Sequence, residues 1–549
     1  MKTSKRKILV TTGLPYANGD IHLGHALGYI QADIWVRFQR TQGHDVAFVC
    51  GDDCHGTPIM INAEKAGIEP EIFIAKTHKE HYQDLNDFYI HYDNFYTTHS
   101  EENKTLVEQI FKSLENNGDI EIKSVSQFFD PVKEMFLPDR YVKGECPRCG
   151  AQDQYGDNCE ACGATYSPTE LKNPVSVMSG ATPIEKASEH LFFKLQNYEA
   201  FLKTWTTGDH LQKQVSNKLQ EWFEDGLKNW DISRDAPYFG FEIPGYPNKY
   251  FYVWLDAPVG YMASFKNLCK CRDDLNFDDY WKENKKTELI HFIGKDIVYF
   301  HALFWPAMLK GAGFRAPSEI VVNGFLTIDG KKMSKSRGTF INARDFKSQI
   351  NPEFLRYYFA AKLSRNLEDI DLNFEEFQQK INSDLVGKYI NIASRTAGFI
   401  VKHFDGMLAE QCKESELYQQ FISEAEKIRT AYDQYEFSTA MRLIMALADQ
   451  ANSYIAEKAP WSMIKTPGNE KEVQEVCTIA LNCFRCLTIF LEPVLPVVAE
   501  GVKDFLNIDT LDWDSIPSML LNHKINKYKP LIQRVDAAQI AALTVDVVE

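Results

Sequence analysis

Apolar residues come in two periodicities along this chain, and their order outlines its elements. Residues 7–12, Lys-Ile-Leu-Val-Thr-Thr, are apolar and β-branched and predict a buried parallel strand. A turn-rich stretch follows, Gly13 to Asp20. Leu23, Leu27, Ile30, Ile34 and Phe38 then recur at spacings of three and four, which predicts a helix with one apolar face. Gly43 ends that helix, and residues 45–50 read as the next strand. This is a βαβ unit, with the right-handed crossover such units take. A similar unit recurs about 240 residues later: a strand over 288–293, a helix over 296–310 and a strand over 319–324. We expect one sheet split by a long insertion, with the first half at 1–115, the insertion at 116–235 and the second half at 236–349. From 350 to 549 the pattern turns helical, over 352–363, 375–404, 415–457 and 472–492. Pro460, Pro467, Pro493 and Pro496 punctuate the ends. There are no internal repeats and no low-complexity segments.

Composition narrows the class without naming a function. A length of 549 residues suggests three to four domains at roughly 100–200 residues each. With 44% hydrophobic and 25% charged residues, the chain is neither disordered nor a fibre. Sixty basic against 76 acidic residues leave a formal net charge of −16, so a polyanion partner would have to meet a local basic patch. Twelve cysteines, four of them clustered, fit a reducing compartment with one metal site better than a disulfide framework. The apolar run at Ile8 to Val10 is too short for a signal peptide, and no stretch of 18 apolar residues occurs. The expected location is the cytoplasm, with no membrane partner.

Three constellations carry chemistry. The run Pro15-Tyr16-Ala17-Asn18-Gly19-Asp20-Ile21-His22-Leu23-Gly24-His25 follows a strand and opens a helix, where free backbone N–H groups favour phosphate. His22 and His25 are three apart, so both should lie on one helix face and reach phosphate oxygens. Gly24 would let a ring lie against the backbone. Read alone, this is as easily a helix start with two surface histidines. The second run, Lys331-Lys332-Met333-Ser334-Lys335-Ser336-Arg337-Gly338, follows the second half-sheet. Lys332 and Lys335 could neutralise charge on a transferring phosphoryl group, although a lone basic run is usually a solvated loop. Together the two runs converge on one crevice at strand C-termini. The third is Cys146-Pro-Arg-Cys149, nine residues, then Cys159-Glu-Ala-Cys162, the spacing of a closed tetrahedral Zn²⁺ site; the alternatives are four free thiols or a redox pair.

The first two runs resemble the signature sequences of class I aminoacyl-tRNA synthetases, with Leu23 a mild aliphatic swap in the first. The spacing from His25 to Lys332, about 300 residues, is too short for the large editing domain of some members. Over nearly the whole chain the sequence resembles the methionyl-tRNA synthetases. The carrying segments are Leu14 to Gly19, Phe251 to Pro258, His291 to Pro306 and the cysteine knuckles. The resemblance implies a Rossmann-like parallel-sheet nucleotide-binding domain, split by a zinc-containing insertion and followed by an all-α helical-bundle anticodon-binding domain. It implies that methionine is activated with ATP to methionyl-adenylate and transferred to initiator and elongator tRNA. His22, His25, Lys332 and Lys335 would be the catalytic set, and Gly24, Gly294, Asp296 and Lys335 the ATP contacts. Leu14, Tyr16, Trp254, Ala257, Pro258, Tyr261, Ile297 and His301 would line the methionine pocket, with Asp53 on the substrate ammonium. Aromatic and aliphatic walls suit a thioether. Asn391, Arg395 and Trp461 would read the anticodon. Mg²⁺ would accompany ATP, and one structural Zn²⁺ would sit on the cysteines. The family's longer members carry a dimerising C-terminal module. This chain stops after the helical region, so we expect a monomer. Readings left open are another class I synthetase such as the cysteine enzyme, a zinc-dependent tRNA-binding protein without catalysis, and a small nucleotidyltransferase.

Overall fold

The computed structural model describes residues 5–545 except 157, 158, 160, 163, 165, 284, 285, 333–339 and 414. Its centre is a sheet of five parallel strands: β1 (Lys7–Thr12), β2 (Asp45–Asp52), β3 (Asn94–Thr97), β4 (Glu288–Gly294) and β5 (Glu319–Asn323). Their spatial order is β5-β4-β1-β2-β3. Ile8 pairs with Val46 on one side and Glu288 on the other, so strands far apart in sequence meet on β1. Both faces of the sheet are covered. Ile8, Val10, Phe48, Cys50, Ile290 and Phe292 face one core, and Leu9, Ala47, Val49, Leu289 and Ile293 face a second. That alternation of two buried faces is why these strands read as unbroken apolar runs.

Among the helices of the fold are α1 (Leu23–Thr41), α2 (Pro70–Asp87), α3 (Val259–Cys271), α4 (Asn391–His403), α5 (Phe437–Lys458) and α6 (Glu470–Leu491). Helix α1 buries Leu27, Ile30, Ile34 and Phe38 against the first core, as its spacing requires. The expected helix over 296–310 is a 3-10 turn at Lys295–Ile297, a π turn at Phe300–Phe304 and an α-helix at Trp305–Gly311. The helical run expected over 415–457 is two helices, Glu416–Asp433 and α5, broken at Tyr435 with φ 63°.

The insertion is carried on a long antiparallel pair, Ile120–Asp130 with Ile184–Phe193. A small sheet of Val142–Glu145, Gln154–Tyr155 and Lys172–Ser176 holds the cysteine knuckles beyond it. At the other junction, Leu326–Ile328 pairs in parallel with Ile370–Leu372, so backbone pairing ties residues beyond 350 to the segment that follows β5. The bundle proper starts after that strand, at Phe374. Helix α6 is the one described helix long and apolar enough to cross a membrane. In the fold, 89% of its apolar window is buried inside the protein, so its apolarity is that of a core helix.

Candidate active site

A cavity of about 870 Å³ opens at the carboxyl ends of β1 and β4, where the strand order switches direction. Leu14, Tyr16, His22, Gly24, His25, Asp53, Trp254, Gly294, Asp296 and Ile297 all line it. The fold thus brings the first signature run together with residues from the second half-sheet.

His22 is the N-cap of α1 rather than a residue on its face. The His25 N–H donates to His22 Nδ1 at 3.3 Å, and the His22 N–H donates to His25 Nδ1 at 3.4 Å. The rings stack with centroids 3.6 Å apart. This corrects the expectation that both lie side by side on one helix face. An Nδ1 that accepts keeps the imidazole proton on Nε2. Burial, with smaller repulsion from His22 and His81, pushes the His25 pKa well below the ordinary histidine value. His25 is therefore a neutral Nε2–H donor at physiological pH, suited to a phosphate oxygen.

The second signature run begins at the edge of this cleft. Lys331–Lys332 form a short strand paired with Leu326–Ile328. Lys335, together with the Lys332 side chain, lies outside the described residues. On the far side of the run the chain returns to the first signature: Leu23 N–H donates to Ile341 O at 3.1 Å and Ala343 N–H to Ile21 O at 2.9 Å. Phe340 meets the His22 ring edge-on at 5.0 Å. The chain just after the lysine run is thereby anchored beside His22.

Asp53 follows β2. Its backbone pairs with the segment after β1, Asp53 N–H to Pro15 O and Ala17 N–H to Asp53 O, which places Tyr16 beside it. Asp53 Oδ1 is buried and has no hydrogen-bond partner among the described residues. Burial, then the charge of Asp256, raises its pKa well above the carboxylate norm. A buried acceptor without a donor is a site awaiting a cation. Gly56 is required opposite: it has φ +126°, and a Cβ there would lie 2.6 Å from the Tyr16 hydroxyl.

Ala257, Pro258, Tyr261 and His301 are not on the cavity wall; Tyr261 and His301 form the buried layer behind it. His301 Nδ1 lies 3.0 Å from Ile297 O, so Nδ1 carries the proton and Nε2 accepts from the Tyr261 hydroxyl at 2.8 Å. Burial lowers the His301 pKa to about 4, so the pair stays neutral. Ile297 and His301 were expected on one helix face. Ile297 closes a 3-10 turn and lines the cavity, whereas His301, in the π turn that follows, is buried and off the cavity wall. Trp254, on the wall, stacks on Phe300 at 3.6 Å.

Asp296 turns back over Gly294, where a Cβ would sit 2.5 Å from its Oδ1, so a larger residue there would displace that carboxylate. Sequence reasoning missed Arg234, a cationic side chain among the described lining residues. Its guanidinium lies 3.6 Å from the Tyr252 ring centroid and donates to Ser233 O at 2.6 Å. An arginine between a serine and an aspartate carries no local signal.

Away from the cavity wall, the cysteine sulfurs converge. Cys146 and Cys162 Sγ are 3.9 Å apart, Cys149 and Cys159 Sγ 3.5 Å, and all four lie within 4.8 Å of one another. A tetrahedral S₄ site with metal–sulfur bonds of ~2.3 Å has edges of ~3.8 Å. The donor set fits a metal ion. Among the described residues no cysteine is in a disulfide. In the helical region, Arg395 on α4 lies 4.8 Å over the Trp461 ring, and Trp461 is 39% exposed. Asn391 Nδ2 donates to Asn452 Oδ1 at 2.8 Å.

The family model for class I tRNA synthetases (M) matches residues 8–397, and that for the anticodon-binding domain of methionyl tRNA ligase matches 406–527. The chain belongs to the methionyl-tRNA synthetases. A methionine–tRNA ligase of Psychrobacter sp. (strain PRwf-1) is 60% identical, over 98% of this chain and 80% of that one. Among solved structures, the Mycobacterium tuberculosis methionyl-tRNA synthetase in complex with methionyl-adenylate superposes with a TM-score of 0.80 at 23% identity. The match covers 96% of this chain and 100% of that one. The apo form of the same mycobacterial enzyme gives 0.74 at 21%, over 97% and 99%. At those identities the likeness bears on the fold of this synthetase alone.

Proposed function

We infer that this synthetase activates methionine with ATP and transfers it to the 3′ end of its tRNA. The observation that carries the reading is the buried, unpartnered Oδ1 of Asp53, beside Tyr16, in the same cavity as the His22–His25 turn. An amino acid whose ammonium meets Asp53 has its side chain against Trp254 and Ile297. Its carboxylate then points toward the phosphate-binding turn. A carboxylate oxygen attacks the α-phosphorus as the bond to the bridging oxygen of pyrophosphate breaks. In the second step a terminal ribose hydroxyl attacks the adenylate carbonyl and AMP leaves. No protein nucleophile is required; positioning and charge stabilisation are the protein's contribution.

In this reading His25 donates its Nε2–H to a phosphate oxygen, and Lys332 and Lys335 neutralise charge that develops at the α-phosphate, with Mg²⁺ on the nucleotide. Asp296 takes the ribose hydroxyls. Arg395 and Trp461 form a cation–aromatic platform for an unpaired anticodon base, with Asn391 on the same helix as Arg395 offering polar contacts. The metal at Cys146, Cys149, Cys159 and Cys162 is Zn²⁺, a reading supported by four sulfur ligands at tetrahedral spacing. With no open position, that ion staples the inserted lobe and takes no part in the chemistry. A cytoplasmic location fits the free thiols, and a monomer fits the net charge of −16, which opposes self-association.

Pyrophosphate exchange across the amino acids tests the reading. Methionine should support exchange far better than cysteine, valine or leucine; preference for any other amino acid would overturn it.

A further inference from the structure

The carboxylate next to Asp53 faces away from the cleft. Asp52 is fully buried, and Nδ1 of His78 lies 2.6 Å from its Oδ2. Asp52 Oδ1 lies 2.6 Å from Nδ1 of His81, on α2. The other ring nitrogen of His81, Nε2, lies 2.6 Å from the carbonyl oxygen of Gly19. A carbonyl can only accept, so Nε2 carries a proton. An ionised carboxylate can only accept, so Nδ1 carries one too. A neutral imidazole has a single N–H. Between them, His81 and Asp52 therefore hold one proton more than a neutral ring and a carboxylate would. His81 is 1% exposed, so this proton sits inside the protein.

We propose that His81, held as an imidazolium, is a positioning residue for adenylate formation, because it ties the turn that delivers His22 and His25 to the strand end that carries Asp53. Gly19 precedes His22 by three residues, and Asp52 precedes Asp53 by one. A single side chain thus spans the phosphate-binding and ammonium-binding edges of the cleft. The proposal rests on the synthetase reading above and adds a residue to it.

The surroundings sustain the charge. Burial opposes it, but the Asp52 hydrogen bond and charge, the Gly19 carbonyl and Asp84 outweigh burial, and His81 titrates above an ordinary histidine. Asp84 is itself bound by Arg344 at 2.7 Å, and Arg344 also faces Asp20 and Glu80 at 3.9 Å. From α1, His25 faces His81 and is held neutral in part by that charge. The contribution is complete below the unperturbed histidine value of about 6.5 and disappears as pH rises through the raised folded value. Loss of the proton leaves either Asp52 Oδ1 or the Gly19 carbonyl without its donor.

The test is the pH profile of methionine-dependent ATP–pyrophosphate exchange by the full chain, with His81→Gln and His81→Asn. The glutamine amide can still donate toward Gly19 and the asparagine amide toward Asp52, and neither titrates. The wild type should lose kcat/KM for ATP along an alkaline limb. Both variants should lack that limb and be slower at neutral pH by about ten- to a hundredfold, the scale expected when a reacting group is misplaced by an ångström. An unchanged limb in His81→Gln, or no limb in the wild type, overturns the proposal. Should neither variant fold, ¹⁵N spectra of ring-labelled wild type decide it: two protonated His81 nitrogens at neutral pH support the proposal, and one protonated and one bare nitrogen refute it. Wild-type exchange with an amino acid other than methionine would strike the methionine reading alone. The alkaline limb, read with whichever amino acid supports exchange, and the ring spectra would then still decide the role of His81.

Discussion

Asp53→Asn should make the protein more stable and nearly useless to methionine. The carboxylate is buried, one oxygen has no partner, and the largest charge acting on it is the like charge of Asp256. An uncompensated buried charge costs several kcal/mol of desolvation. Asparagine has the same shape and no charge, so relief of about 1–3 kcal/mol is expected in the ligand-free enzyme. For a domain of this size each kcal/mol moves the melting temperature by ~2–4 °C. Removing one partner of a buried, hydrogen-bonded charge pair costs about 2–5 kcal/mol of binding, or roughly thirty- to several-thousand-fold in KM for methionine. The pH dependence has a definite sign. A carboxyl with a raised folded pKa stabilises the fold at low pH, where it is protonated, and loses that contribution as pH rises through the folded value. Ammonium binding needs the ionised form, so wild-type kcat/KM for methionine should fall as pH drops through that same value. Asp53→Asn should show neither dependence. Melting in parallel with pyrophosphate exchange at several pH values checks both halves. An unchanged methionine KM, or a variant that melts lower than wild type, refutes the assignment of Asp53 as a carboxylate whose free Oδ1 awaits the ammonium.

Lys335→Ala should cripple adenylate formation and leave methionine binding nearly intact, because the charge is needed mainly in the transition state; an equal loss in equilibrium methionine binding and in exchange rate argues against it. Elemental analysis of protein purified without chelator should find one Zn²⁺ per chain, and Cys146→Ala should lower the stability of the inserted lobe, since metal binding is coupled to folding. Absence of zinc defeats that assignment. Trp461→Ala should raise KM for tRNA by about ten- to a hundredfold, the worth of roughly 1–3 kcal/mol of base stacking, without changing exchange; a parallel fall in both assays marks Trp461 as a packing residue. Light scattering at micromolar concentration should report one chain of 63.0 kDa, and a mass twice that defeats the monomer.

What could be read from the sequence was whatever its own spacing encodes. The strand at 7–12 was legible because both of its faces are buried, and α1 because its apolar stripe runs unbroken to Phe38. The cysteine knuckles were legible because ligand spacing is a local property. The break between Glu416–Asp433 and α5 was not, because Tyr435 takes a left-handed conformation with no glycine or proline to announce it. The π turn at Phe300–Phe304 was not, because one extra residue in a helical turn leaves the apolar pattern nearly unchanged.

The residues that hold the signature groups in place formed the least legible layer, and the reason is physical. Substrate-binding residues fall in a few short runs, each presented by one strand end or helix start. Their supports come from wherever the fold passes. Asp256, on the short helix Val253–Asp256, faces the buried His55 that follows Asp53 by two residues, and Asn103 donates to its other oxygen at 2.5 Å. His81 reaches Gly19 across 62 positions. Asp33, halfway along α1, is clamped by Arg356 at 2.7 Å, and the same guanidinium donates to the carbonyls of Pro493 and Val494 just beyond α6. Burying these charges stabilises little in net terms, because desolvation offsets most of the attraction. Each pair has few alternative partners inside the protein, however, so each fixes one relative placement of the elements it joins. In a reaction without a protein nucleophile, placement is the larger part of what the protein supplies. It is therefore these buried pairs, more than the signature residues they hold, that convert two strand ends and a helix start into a site.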